Sequence, residues 1–97
     1  MDIKIDIKSL KFKSSERLND FIIDKIERLI KNVPQVMKAE VVLSLEQDHE
    51  QGSKIVDIRL YVPGHDFFAS KQAKTFEEAC LEACDALRNQ IEKIKKH

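Results

Sequence analysis

The stretch FFASKQAKTFEEACLEACDALRNQIEKIKKH (residues 67–97) decides the fold. It reads as a short strand, a turn, and one amphipathic helix that ends in lysines. Thr75 and Glu78 make a T-x-x-E capping box, in which the Thr hydroxyl accepts from the Glu78 N–H and the Glu carboxylate reaches back to the Thr75 N–H. Beyond it, Phe76, Cys80, Ala83, Cys84, Leu87, Ile91 and Ile94 recur at helical spacing on one face. Glu77, Glu78, Glu82 and Asp85 crowd the first half, and Arg88, Lys93, Lys95 and Lys96 crowd the end, so the charges complement the helix dipole. This basic end is the chain's best contact for a polyanion.

Upstream of it, Pro63-Gly64 is a turn signal. The residues before the turn, 54–62, alternate, with Val56, Ile58, Leu60 and Val62 inward and Asp57, Arg59 and Tyr61 outward. Residues 65–71 follow as the next strand. A polar segment at 47–53, containing Gly52, reads as a hairpin loop, and KAEVVLSLE (38–46) as the strand before it, with Ala39, Val41, Leu43 and Leu45 on one face. At the start of the chain, Ile3, Ile5 and Ile7 alternate with Asp2, Lys4, Asp6 and Lys8, the pattern of a half-buried strand over 2–8. Between these strands Ser14 or Ser15 caps a helix that runs to about Asn32, with Leu18, Phe21, Ile22, Ile26, Leu29 and Val33 as its buried stripe and Pro34 as its stop.

The order is β-α-β-β-β-α. The helix between strands one and two is the crossover that lets them pair in parallel. The short later connections make strands two to four an antiparallel meander. One apolar face per strand places both helices on the same side of a four-stranded sheet, a two-layer α+β arrangement like that of double-stranded-RNA-binding domains. At 97 residues the chain is a single domain.

Lys plus Arg equals Asp plus Glu at 17 each, so a nucleic-acid partner must be argued from local clustering, not from net charge. No apolar run is long enough for a membrane span, the opening residues lack the apolar centre of a signal peptide, and the two cysteines sit four apart in one helix, which points to a reducing cytoplasm. Cys80 and Cys84 lie on the apolar stripe, where free cysteine packs as a small hydrophobe; a structural zinc site wants four ligands, and His49, His65 and His97 are scattered. His65-Asp66 has no nucleophile motif beside it, and two glycines in all leave little for a phosphate-cradling loop. The expectation is a non-enzyme with no cofactor, no metal and no small-molecule substrate. Lys25 and Arg28 share one side of the first helix and, with Lys93, Lys95 and Lys96, are the candidates to meet phosphates. The competing reading is a solvated helix face held by Asp24–Arg28 and Glu27–Lys31 pairs. Tyr61 and Phe68 are the outward aromatics, and their spacing is not that of a base-stacking platform.

Several stretches carry a resemblance: the opening I-x-I with SSERLNDFIIDKIERLIK, then VVLSLE, YVPGHDFFASKQAKTFEEA and ALRNQIEKIKKH. They resemble the ribosome hibernation promoting factor and ribosome-associated inhibitor A family over nearly the whole chain, and in residues 62–79 the short form of Bacteroidetes-type bacteria. The resemblance implies the β-α-β-β-β-α fold. It also implies binding to the small ribosomal subunit, to 16S rRNA and ribosomal proteins at the decoding region, which excludes messenger and transfer RNA in stress or stationary phase. Lys25, Arg28 and Lys31 match positions often basic in the family, and Lys93 and Lys95 match those after the Gln90-Ile91 pair. Asn89 stands where relatives commonly have Arg, with Arg88 one step earlier; Asp85 and Ala86 stand where relatives often offer Lys. The ending at His97 implies the form without the extra C-terminal domain that pairs ribosomes. The alternative is a domain of the same fold that has lost ribosome binding and serves a protein interaction.

Overall fold

The computed structural model describes residues 3–31, 33, 35–46 and 53–95, with the side chain of Lys95 left aside. The elements are β1 (Lys4–Ser9), α1 (Glu16–Ile30), β2 (Lys38–Leu45), β3 (Lys54–Val62), β4 (His65–Ala73) and α2 (Phe76–Lys95). They form one sheet in the order β1-β2-β3-β4. β1 pairs parallel to β2, with Ile5 opposite Ala39 and Ile7 opposite Val41. β2–β3 and β3–β4 are antiparallel, so Val41, Ile58 and Ala69 stand in one row across three strands. Because side chains alternate, that register turns every inward residue of β2 and β3 toward the helices at once. Ala39, Val41, Leu43, Val56, Ile58 and Leu60 are fully buried as a result.

Local chemistry explains the element ends. Ser15 caps α1, its hydroxyl accepting from the Leu18 N–H at 3.1 Å. The two-residue turn between Val62 and His65 uses Pro63 and then Gly64 at φ 76°, the Pro-then-Gly pattern of a type II turn. Thr75 caps α2, accepting from the Glu78 N–H at 3.0 Å. The return bond from the Glu78 carboxylate is not formed, so only half of the expected capping box exists. Thr75→Ala is therefore expected to cost about 1 kcal/mol, the usual worth of one cap, read as a lower urea midpoint at unchanged m-value.

The helices run parallel. β1 and β4 point the same way, and each helix turns back from the strand before it. The rings of Phe12, four residues before α1, and of Phe76, the first residue of α2, stack at 5.2 Å and mark the end where both helices begin. α1 has 15 residues and α2 has 20, which at ~1.5 Å per residue makes α2 roughly 7 Å longer. Its last turns therefore overhang α1. Ile94, expected on the buried stripe, is 49% exposed for this reason. Leu45, also expected inward, is likewise exposed at its strand's end. Phe21 is only half-buried, whereas Ile30 and Val36 join the core unannounced by the stripe. β1 begins at Lys4 and β4 extends to Ala73, two residues past expectation. Asp2, Asn32, Pro34 and the hairpin loop at 47–52 lie outside the described residues; at the loop's base the Glu46 N–H donates to the Ser53 carbonyl at 2.9 Å.

Candidate nucleic-acid interface

Parallel helices bring the second halves of α1 and α2, which carry the candidate cations, toward one end of the molecule. Lys25, Arg28 and Lys31 come from α1, and Arg88 and Lys93 from α2. The side chain of Lys95, and Lys96 altogether, lie outside the described residues, as do His49 and His97.

The seam between the helices is built around two thiols. Cys80 and Cys84 are buried and free. Their mutual hydrogen bond, with burial added, pushes the Cys80 thiol well up. The same bond holds Cys84 below the ordinary thiol value, helped by the positive charges of Arg88 and Lys25. Lys25 on α1 and Arg88 on α2 thus both lie within electrostatic reach of the Cys84 sulfur, one on each of the two helices that form the seam. Lys25 is the most enclosed of the candidate cations: its stem lies along Phe21, the ammonium 5.2 Å from the ring centroid and 3.9 Å from Asp24.

Arg28 and Arg88 are each engaged by an acid on their own helix. Arg28 Nε is 3.2 Å from Asp24, and the Arg88 guanidinium donates to Asp85 at 2.8 Å. Both pairs are solvent-exposed and so weak, worth under about 1 kcal/mol. A phosphate can displace them. The Glu27–Lys31 pair expected on α1 is not formed, and Lys31 is exposed at the helix end.

Lys93 separates from this group. Five residues past Arg88 is about 140° of helical rotation. It falls on the flank of Gln90, whose side-chain amide donates to the Phe68 carbonyl of β4 at 2.8 Å. The sequence treats the lysine-rich end as one cluster, but the packing splits it into a seam side and a β4 side. Gln90 was not singled out by sequence. Its signal was faint: an uncharged polar residue bordering the apolar stripe.

The other face of the sheet is internally occupied. Lys38 bridges Asp6 at 3.6 Å and Glu40 at 3.7 Å, and Glu40 accepts from the Tyr61 hydroxyl at 2.9 Å. That bond raises the Tyr61 phenol above its ordinary pKa. Arg59 lies 4.7 Å over the Phe68 ring and 3.6 Å from Asp66. Tyr61 and Phe68 therefore face neighbouring cations of their own sheet, Lys38 and Arg59, as cross-strand pairs. Among the described residues no polar side chain is buried and no three His, Cys, Asp or Glu gather as metal ligands. No described helix is long and apolar enough to cross a membrane.

The chain matches the Sigma 54 modulation protein / S30EA ribosomal protein family over residues 5–97. It belongs to that family. Membership makes it a ribosome-associated factor and not an enzyme. Its fold is shared with a ribosomal subunit interface protein from Coxiella burnetii (TM-score 0.86, 17% identity, covering 98% of this chain and 100% of that one). It is also shared with the N-terminal domain of Thermus thermophilus Protein Y (TM-score 0.79, 21% identity, 97% and 99% covered). At such identities the two likenesses speak for the fold alone. No curated protein matches the chain in sequence.

Proposed function

We propose that the protein is a hibernation factor that docks on the small ribosomal subunit at the decoding region and keeps messenger and transfer RNA out sterically. It acts in the cytoplasm when translation is shut down, in stress or stationary phase. The observation that carries this reading, beside family membership, is the parallel pair of helices, which gathers the candidate cations of both second halves at one end. Lys25, Arg28, Lys31 and Arg88 form a seam-side group to meet phosphates, flanked by Lys93, Lys95 and Lys96. Recognition is of RNA shape and phosphate, since the outer sheet face offers no free aromatic platform. A second reading, a relative whose partner is a protein, is favoured by one feature: Arg28 and Arg88 already have acidic partners, and Asn89 adds no charge.

Co-sedimentation of the full chain with vacant small subunits across a salt series separates the two. The ribosome reading expects saturable binding that transfer RNA competes away. The logarithm of the binding constant should fall by roughly 0.7–0.9 per decade of salt for each phosphate contacted. A folded protein that fails to bind at low salt, or binds without salt dependence, overturns it.

A further inference from the structure

The two edges of the sheet are treated differently. β4 is packed by α2, and Gln90 closes its outward-facing Phe68 carbonyl. β1, at the other end of the strand order, pairs among the described residues with β2 alone, and its outer backbone donors and acceptors have no described strand opposite them. An open edge of this kind is a template for another strand.

The flank of that edge is apolar. Ile3, Ile5 and Ile7 face the helix side but are only half-buried, whereas Ala39, Val41 and Leu43 on the adjacent strand are fully buried. Ile23 of α1 is half-buried too and stands outside the core cluster. The opposite side of the strand carries Lys4, Asp6 and Lys8.

This charge order selects its own partner. In an antiparallel pair related by a two-fold axis, the axis must run through a residue for both copies to keep their helices on one side. With the axis at Asp6, Asp6 faces Asp6 and Lys4 faces Lys8, so every outer-face pair is repulsive. With the axis at Ile5, Lys4 faces Asp6 twice and Ile3 faces Ile7 twice, so charges and apolar side chains both match. We infer that the β1 edge is a self-association surface, on which two copies of this chain pair β1 to β1 around Ile5 into one continuous eight-stranded sheet. Lys38, 3.6 Å from Asp6, lies beside this contact without opposing it. The contact is on the sheet edge, away from the α1–α2 seam, and does not depend on the ribosome reading.

Sedimentation velocity of the full chain, from micromolar to millimolar concentration, tests it. The wild type is expected to shift reversibly from monomer to dimer. Lys4→Asp alone and Asp6→Lys alone each place like charges opposite one another at both symmetric positions, and should weaken the dimer on the order of tenfold or more. Mixed together, the two variants restore both Lys–Asp pairs and should form a heterodimer, an outcome that misfolding of either variant would not give. A chain that stays monomeric throughout, or a dimer indifferent to both reversals, overturns the proposal. So does a mixture that fails to re-associate while both variants remain folded; in that case the edge awaits the strand of a different protein.

Discussion

Leu87→Ala will cost the fold about 2–5 kcal/mol, while Ile94→Ala, on the same stripe of the same helix, will stay within about 0.5 kcal/mol of wild type. Leu87 is fully buried among the sheet and helix residues, so truncating it forfeits transfer energy and leaves a cavity that the packed neighbours fill only in part. Ile94 lies beyond the end of α1, half in water already. A 97-residue domain has roughly 5–15 kcal/mol of stability in all, so the first substitution removes a large share and the second almost none. Urea unfolding of both variants at matched m-values measures the contrast. Equal losses would mean that α2 is packed along its whole length and that its overhang does not exist.

Those two residues also mark how far the sequence could be read. The period-two alternation of β2 and β3 and the capped stripe of α2 named the elements, their order and the face each one buries, because each signal is local. Ile94 falls on the stripe by spacing, and spacing cannot say where the partner helix stops. That depends on the parallel arrangement and on α1 being five residues shorter, which is a property of the assembled layer. The candidate site divides in the same way. The types and positions of Lys25, Arg28, Arg88 and Lys93 are plain in the sequence. Which flank of α2 faces β4 is marked by a tertiary contact, the bond from Gln90 to Phe68. Arg88, about 160° round the helix from Gln90, lies away from that flank, while Lys93, about 60° from it, lies near it. The capping box shows a smaller miss: Thr-x-x-Glu supplied the acceptor for the Glu78 N–H, but the Glu side chain stayed in water, where a carboxylate loses nothing.

Zero net charge is compatible with polyanion binding when the charges are sorted. Along α2 four acids, Glu77, Glu78, Glu82 and Asp85, occupy the first half, while in the second Arg88, Lys93 and Lys95 outnumber Glu92. Over a Debye length of about 8 Å at physiological salt, a phosphate at the overhanging end senses the near cations and is screened from the distant acids. Asp24 and Asp85, which pair with Arg28 and Arg88, and Glu92 near the helix end are the exceptions. They lower the resting field without fixing the arginines, since exposed pairs of this kind are marginal and exchange readily with a phosphate.

The double reversal Lys25→Glu/Arg88→Glu is accordingly expected to weaken small-subunit binding by roughly 10–100-fold at about 0.1 M salt and to lower the salt slope by the contribution of about two phosphates. Lys25 and Arg88 come from the two helices that form the seam, so reversing both puts acids on either side of it where the phosphates would approach. Lys93→Glu, on the β4 flank, changes one isolated charge and should have a smaller effect. The charge-preserving pair Lys25→Arg/Arg88→Lys should bind nearly as wild type, because phosphate contact needs a cation there and not a particular shape. Arg88 and Lys93 are solvent-exposed and Lys25 keeps about a third of its side chain in water, so all three variants should remain folded; their urea midpoints, measured alongside, separate lost contact from lost fold. If the double reversal binds as well as wild type while Lys93→Glu does not, the contact lies on the β4 side of α2, and the seam is a packing feature with no part in recognition.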